Sequence, residues 1–142
     1  RNSAIDASPS FSPDGSRIAF VSNRGGSPQV YVMSTGGGGA RRLTFKGNYN
    51  QEPSWCPDAR TPLVAFTGRD SAGNYDIFTI NVKTGALKRL TQGQGSCTSP
   101  SWAPNGRLLV YTSTRGMWIM NPDGLNQHRI HRGGGLTPAW SY

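Results

Sequence analysis

The sequence predicts an all-β fold: a partial β-propeller of three four-stranded antiparallel blades plus one closing strand. Three observations predict it. One phrase is written three and a half times: SPSFSPDGSRIAF at 8–20, EPSWCPDARTPLVAF at 52–66, SPSWAPNGRLLVY at 99–111 and TPAWSY at 137–142. The proline that opens each copy stands at 9, 53, 100 and 138, so the intervals are 44, 47 and 38 residues. A four-stranded propeller blade takes roughly 40–50 residues. Finally, no segment holds a helical period beyond a turn or two, and turn residues punctuate short apolar runs throughout.

Each repeat divides in the same order. A short strand surrounds an aromatic residue: Phe11, Trp55, Trp102 and Trp140. A turn follows at Pro13-Asp14-Gly15, Pro57-Asp58-Ala59 and Pro104-Asn105-Gly106. Proline presets φ, and Asp or Asn followed by Gly accepts the positive-φ position. The second copy has Ala59 for glycine and adds Thr61-Pro62, which predicts a longer, different turn. The second strand is apolar (Ile18–Val21, Val64–Thr67, Leu109–Thr112), as a strand covered on both faces must be. The third runs through Val30–Met33, Ile77–Ile80 and Met117–Met120. Glycine-containing hairpins then lead to a fourth strand at Arg42-Leu43-Thr44, Arg89-Leu90-Thr91 and Arg129-Ile130-His131. Its basic and apolar residues are expected to form a charged outer edge, which discourages edge pairing. The blades are placed at 8–46, 52–92 and 99–132, with the closing strand at 137–142. One blade cannot bury both of its faces, which is why the unit is repeated.

The 142 residues hold 15 Lys and Arg against seven Asp and Glu, a net charge of +8. The basic residues are scattered, and no helix gathers them into a stripe, so nucleic acid is not an expected partner. No apolar run is long enough to span a membrane, and no leader with a basic start and apolar centre is visible. A mature or truncated chain would read the same. A catalytic constellation is not expected: there is no G-x-S-x-G elbow, and the serines have no His and Asp partners. GGGGA at 36–40 lacks the Lys and Ser/Thr of a phosphate loop and reads as a hairpin tip. His128 and His131 have no companion ligands for zinc. Cys56 and Cys97 fall at opposite ends of successive inner strands, so two free thiols are expected. Trp55, Trp102 and Trp140 share one blade position and read as core or channel wall.

The loops entering the inner strands, 4–8 (AIDAS), 47–52 (GNYNQE) and 92–98 (QGQGSCT), converge on one mouth of the channel. Loops on one side of such a scaffold commonly carry binding. The candidate partner-binding residues are Asp6, Asn48, Tyr49, Asn50, Gln51, Glu52, Gln94, Ser96 and Thr98. No cofactor or metal is assigned. Asp6, Glu52, Asp14 and Asp58 are the carboxylates that would offer oxygens to a channel cation such as calcium. Asp14 and Asp58 are better explained as turn residues.

The aromatic followed by SPDG, then IAF, Y-x-M and RRLT, resembles the WD40-like PD40 repeats of the TolB family, periplasmic propellers of the Tol-Pal system. The inter-blade stretches RRLTFKGNYNQEPSW (41–55) and RLTQGQGSCTSPSW (89–102) and the ending TPAWSY carry the resemblance furthest. It implies that this chain corresponds to the C-terminal half of a six-bladed propeller. It also implies a non-enzymatic, protein-binding role in the periplasm, in envelope integrity, cell division and protein transport, with the lipoprotein Pal and other Tol components as partners. Toxin peptides enter the same channel in that family. Two copies of this chain joined by two-fold symmetry would complete a six-bladed ring. Two alternatives stand beside this reading. One is a propeller attached to a prolyl oligopeptidase-like peptidase. The other is an engineered half-propeller that assembles with itself.

Overall fold

The computed structural model describes residues 6–132. The closing strand expected at 137–142 lies outside the described residues. Twelve strands make three four-stranded antiparallel sheets, each in simple sequential order. The first holds β1 (Asp6–Phe11), β2 (Arg17–Ser22), β3 (Gln29–Ser34) and β4 (Arg41–Arg42). The second holds β5 (Asn50–Trp55), β6 (Leu63–Arg69), β7 (Tyr75–Asn81) and β8 (Leu87–Arg89). The third holds β9 (Cys97–Trp102), β10 (Leu109–Ser113), β11 (Gly116–Met120) and β12 (His128–His131). No helix among the described residues is long and apolar enough to cross a membrane.

The first hairpin of each blade follows its turn chemistry. Gly15 and Gly106 sit at φ of 71° and 72°, and their amides close tight turns on the carbonyls of Ser12 and Ala103. Asp14 Oδ1 accepts from the Ser16 amide at 3.0 Å and from the hydroxyls of Ser12 and Ser16, both at 2.7 Å. Those bonds, the Ser16 amide first, lower its pKa to about 2. The second repeat turns differently. The ladder closes from the Cys56 amide to the Leu63 carbonyl, two residues wider than Ser12 to Arg17 or Ala103 to Leu108. Without the glycine, the chain needs the extra residues around Thr61-Pro62 to reverse.

Two cores lie between blades rather than within them. Ala19, Val30, Val32 and Leu43 of the first blade pack on Trp55, Val64, Phe66 and Ile80 of the second. Leu90, Ala65 and Ile77 of the second meet Trp102, Leu109, Tyr111 and Met120 of the third. Trp55 and Trp102 are each 5% exposed, whereas Phe11, at the same position of the first blade, is 59% exposed. The aromatic belongs to the junction with the preceding blade, and the first blade has no predecessor among the described residues. Trp102 Nε1 donates to the Ser54 carbonyl at 2.8 Å, tying the third blade to the second. Arg17 stacks 5.0 Å above the Trp55 ring.

The fourth strand departs from expectation. β4 and β8 stop at Arg42 and Arg89, and Leu43-Thr44 and Leu90-Thr91 leave the edge and bury themselves. Each threonine acts as a clasp. Thr91 Oγ1 accepts from the Ile77 amide at 2.9 Å and donates to Asp76 Oδ1 at 2.8 Å. Thr44 Oγ1 accepts from the Val30 amide at 2.9 Å and donates to Gln29 Oε1 at 2.6 Å. Arg89 closes the second clasp by pairing with buried Asp76 and, at 3.3 Å, with Asp70. A buried polar group must be bonded, and these hydroxyls meet amides that the shortened ladder would otherwise leave unpaired. The third copy has His131 in place of threonine, and β12 lies wholly exposed.

Candidate partner-binding site

The inner strands β1, β5 and β9 line one wall, and each carries the same irregularity. Between Ala7 and Ser10, Gln51 and Ser54, and Thr98 and Ser101, the inner strand gains one residue on its partner. The bulged residues are Ser8, Glu52 and Ser99, at φ of 55°, 56° and 58°, each immediately before a proline. A non-glycine residue in the left-handed region costs about 1–2 kcal/mol. Proline offers no amide to a ladder and is tolerated at such bulges. A bulge also re-aims side chains. Here the three bulges bring Ser8, Glu52 and Ser99, with the prolines and serines after them, around an open recess of about 280 Å³.

This wall is polar and internally braced. Ser99 Oγ donates to Glu52 Oε2, and Gln51 Nε2 donates to Glu52 Oε1 at 3.2 Å. The Trp55 amide donates to Ser10 Oγ at 2.9 Å, and the Ser99 amide to Thr67 Oγ1 at 3.1 Å. The Glu52 carboxylate is held in place and still faces the recess. Ser8, Ser10, Ser54, Ser99 and Ser101 went unrecognised in the sequence. Their signal was the proline itself, which inside a paired strand marks a bulge.

The structure divides the nine candidates. Gln51, Glu52 and Thr98 lie on the wall strands and are half-buried. Asp6 opens β1 and pairs with Arg24 at 3.2 Å. The Ser22 hydroxyl, more than Arg24, holds the Asp6 carboxyl below its ordinary pKa. Asn48 is exposed, Ser96 is half-buried, and Tyr49 meets Tyr75 edge-on at 6.1 Å. Two residues turn inward instead. Asn50, 4% exposed, donates to Gln29 Oε1 at 2.8 Å and to the Lys46 carbonyl at 2.9 Å. Gln94 bonds Gln127 and accepts from Tyr111 at 3.1 Å inside a blade junction. Both hold loops in place, Asn50 from a buried position and Gln94 from a half-buried one.

The carboxylates do not gather. Asp14 and Asp58 occupy hairpin turns beyond the far ends of β1 and β5, and Asp58 accepts from Arg60 at 3.1 Å. Among the described residues no group of three or more His, Cys, Asp or Glu stands where it would hold a metal ion. His128 and His131 lie on exposed β12. Cys56 and Cys97 are free and buried, and burial raises both thiol pKa values, that of Cys97 to about 11.

The three-blade frame agrees with what known proteins show. The TolB beta propeller domain (PD40) family matches residues 1–142. The chain belongs to the TolB β-propeller family. The "Protein TolB homolog" of Chlorobium luteolum is 44% identical over 144 residues, covering 97% of this chain and 33% of that protein. The "Tol-Pal system protein TolB" of Myxococcus xanthus is 54% identical over 41 residues, covering 29% of this chain and 9% of that protein. The crystal structure of TolB from Acinetobacter baumannii superposes with a TM-score of 0.72 at 35% identity, covering 84% of this chain and 30% of that one. A 57-residue stretch is also 47% identical to the "Uncharacterized peptidase YuxL" of Bacillus subtilis, covering 39% of this chain and 9% of that protein. This TolB-like chain spans a third or less of the curated relatives it matches.

Proposed function

We propose that this TolB-like propeller segment is a non-enzymatic protein-binding element of a Tol-Pal system. It acts in the periplasm, and its channel mouth holds a Pal-like lipoprotein. The observation that carries the reading is the bulged wall of β1, β5 and β9. Strain repeated at one position of three blades makes sense when it serves a surface. Here it holds a braced carboxylate, Glu52, toward the recess. A polar, pre-organised face of this kind suits a protein ligand whose hydrogen bonds it can match. The names of the relatives support the same system.

Titration calorimetry with the soluble domain of a Pal-type lipoprotein tests it. Saturable binding, weakened at least tenfold by Glu52→Lys, is the expected result. Equal binding by the chain and the variant would remove the wall from the function. A second reading, a propeller attached to a peptidase domain, rests on the stretch shared with the Bacillus peptidase. A hydrolase domain in the same gene would favour it.

A further inference from the structure

The two blade junctions are built from equivalent positions, yet only one is filled. Strand register makes Phe66 the counterpart of Tyr111, since each stands one residue beyond the alanine or valine that pairs with Ser54 or Ser101. It likewise makes Leu87 the counterpart of Gln127, since Leu87 directly precedes the residue that pairs with Thr79, and Gln127 the residue that pairs with Ile119. Counting from the Arg-Leu-Thr clasp makes Gly47 the counterpart of Gln94.

Between the second and third blades these positions form a plug. Gln94 bonds Gln127, the Tyr111 hydroxyl donates to Gln94 Oε1 at 3.1 Å, and Gln127 Nε2 donates to the Leu90 carbonyl at 2.8 Å. Between the first and second blades the same places hold Gly47, Phe66 and Leu87. A side chain, a hydroxyl and an amide are missing together. What remains is a cavity of about 590 Å³ lined by Leu43, Phe66, Phe78, Ile80 and Leu87. That volume lies in the range of small-molecule sites, roughly 300–1,000 Å³. Phe66 and Phe78 stack at 5.6 Å and form an aromatic wall.

The polar groups of the lining give the site a sign. Lys46 and Arg69 line the cavity, and neither joins any ion pair among the described residues. The acid beside them, Asp70, is already committed to Arg89 at 3.3 Å and to the amides of Ala72 and Asn74 at 2.9 and 2.8 Å. An apolar chamber with two uncompensated cations fits an apolar body that carries one acid group.

We propose that the junction of the first two blades binds a small amphipathic anion. Its aromatic or branched body lies against Phe66, Phe78 and Ile80, and its acid group faces Lys46 and Arg69. This site stands apart from the inner-strand wall and does not depend on a protein partner.

Fluorescence titration of this chain tests it with two probes of the same shape. One is anilinonaphthalene sulfonate, and the other is the uncharged phenylnaphthylamine. Three variants accompany them. Leu87→Trp fills the chamber from its half-exposed lip. Leu87→Gln restores the residue found in the plugged junction. Lys46→Glu reverses the charge of an exposed side chain at the cavity's edge, outside both blade cores. One saturable site per chain is expected, lost for both probes in Leu87→Trp and weakened in Leu87→Gln. Lys46→Glu weakens the sulfonate by about tenfold or more, as the loss of a charge-assisted contact does, and leaves the uncharged probe unchanged. No saturable binding overturns the proposal. So does binding that survives Leu87→Trp in a chain with unchanged circular dichroism, since the probe then sits on an open blade face. Equal losses of both probes in Lys46→Glu overturn the anionic assignment.

Discussion

Replacing Thr91 by valine tests whether the Arg-Leu-Thr segment is a clasp or a surface edge. Valine keeps the shape and removes only the hydroxyl. Thr91 is 2% exposed, so water does not replace what is lost. The Ile77 amide loses its acceptor at 2.9 Å, and Asp76 loses a donor at 2.8 Å. Each buried group left short of a partner costs about 1–3 kcal/mol. Asp76 keeps Arg89, which softens its share, so the sum is about 2–4 kcal/mol. Against a domain stability of about 5–15 kcal/mol that is a large fraction. Urea unfolding followed by the fluorescence of the four tryptophans measures it. Thr44→Val is expected to cost less, because its acceptor is the neutral amide of Gln29 and bonds to ionised groups are roughly twice as strong. Thr84→Val, on an exposed hairpin, stays within about 0.5 kcal/mol. A Thr91→Val cost below about 1 kcal/mol, or equal costs at positions 91 and 84, would refute the clasp.

Other consequences are independent of that one. Asp14 has its folded pKa lowered to about 2 from 3.8, so its contribution to stability is full above pH 4 and fades as pH falls toward 2. An acid titration of Asp14→Asn lacks that component, and a carboxyl NMR titration of Asp14 with an ordinary midpoint would contradict it. Cys56 and Cys97 stay silent to Ellman's reagent at pH 8 in the folded chain and both react in denaturant, because burial holds them as thiols. Trp102→Ala costs about 3–5 kcal/mol, as loss of a large buried ring does, whereas Phe11→Ala, exposed in the single chain, changes the stability of the monomer little. Phe11, Leu125 and Ile130 are exposed apolar side chains on the first and third blades. Light scattering of this chain is expected to give about twice 15.3 kDa, with Phe11→Ser returning it toward the monomer. A monomer at all concentrations would exclude the two-copy ring.

Much of the fold was legible because its signals are local. Pro-Asp-Gly at 13–15 sets a turn from three neighbouring residues. The widened second turn follows from Ala59 and Thr61-Pro62 in the same way. Apolar runs such as Val64–Phe66 name the covered strands without any knowledge of what covers them. The site was legible only as a region. The entrance loops pointed to Gln51 and Glu52, and both fall within the inner strand β5, half-buried. Nothing in the loops marked Asn50 and Gln94 as inward-facing.

By itself, then, the sequence determined the number of blades, their strand order and their turn chemistry, since each is written within a few consecutive residues and repeated. Tertiary structure alone decided where Leu43-Thr44 and Leu90-Thr91 go, which side of an amide pair finds its partner, and which blade junction stays open. Those outcomes depend on residues meeting across blades: Gln94 with Gln127, Glu52 with Ser99, Gly47 beside Arg69. Such pairs lie tens of residues apart, and only packing one blade on the next brings them within reach.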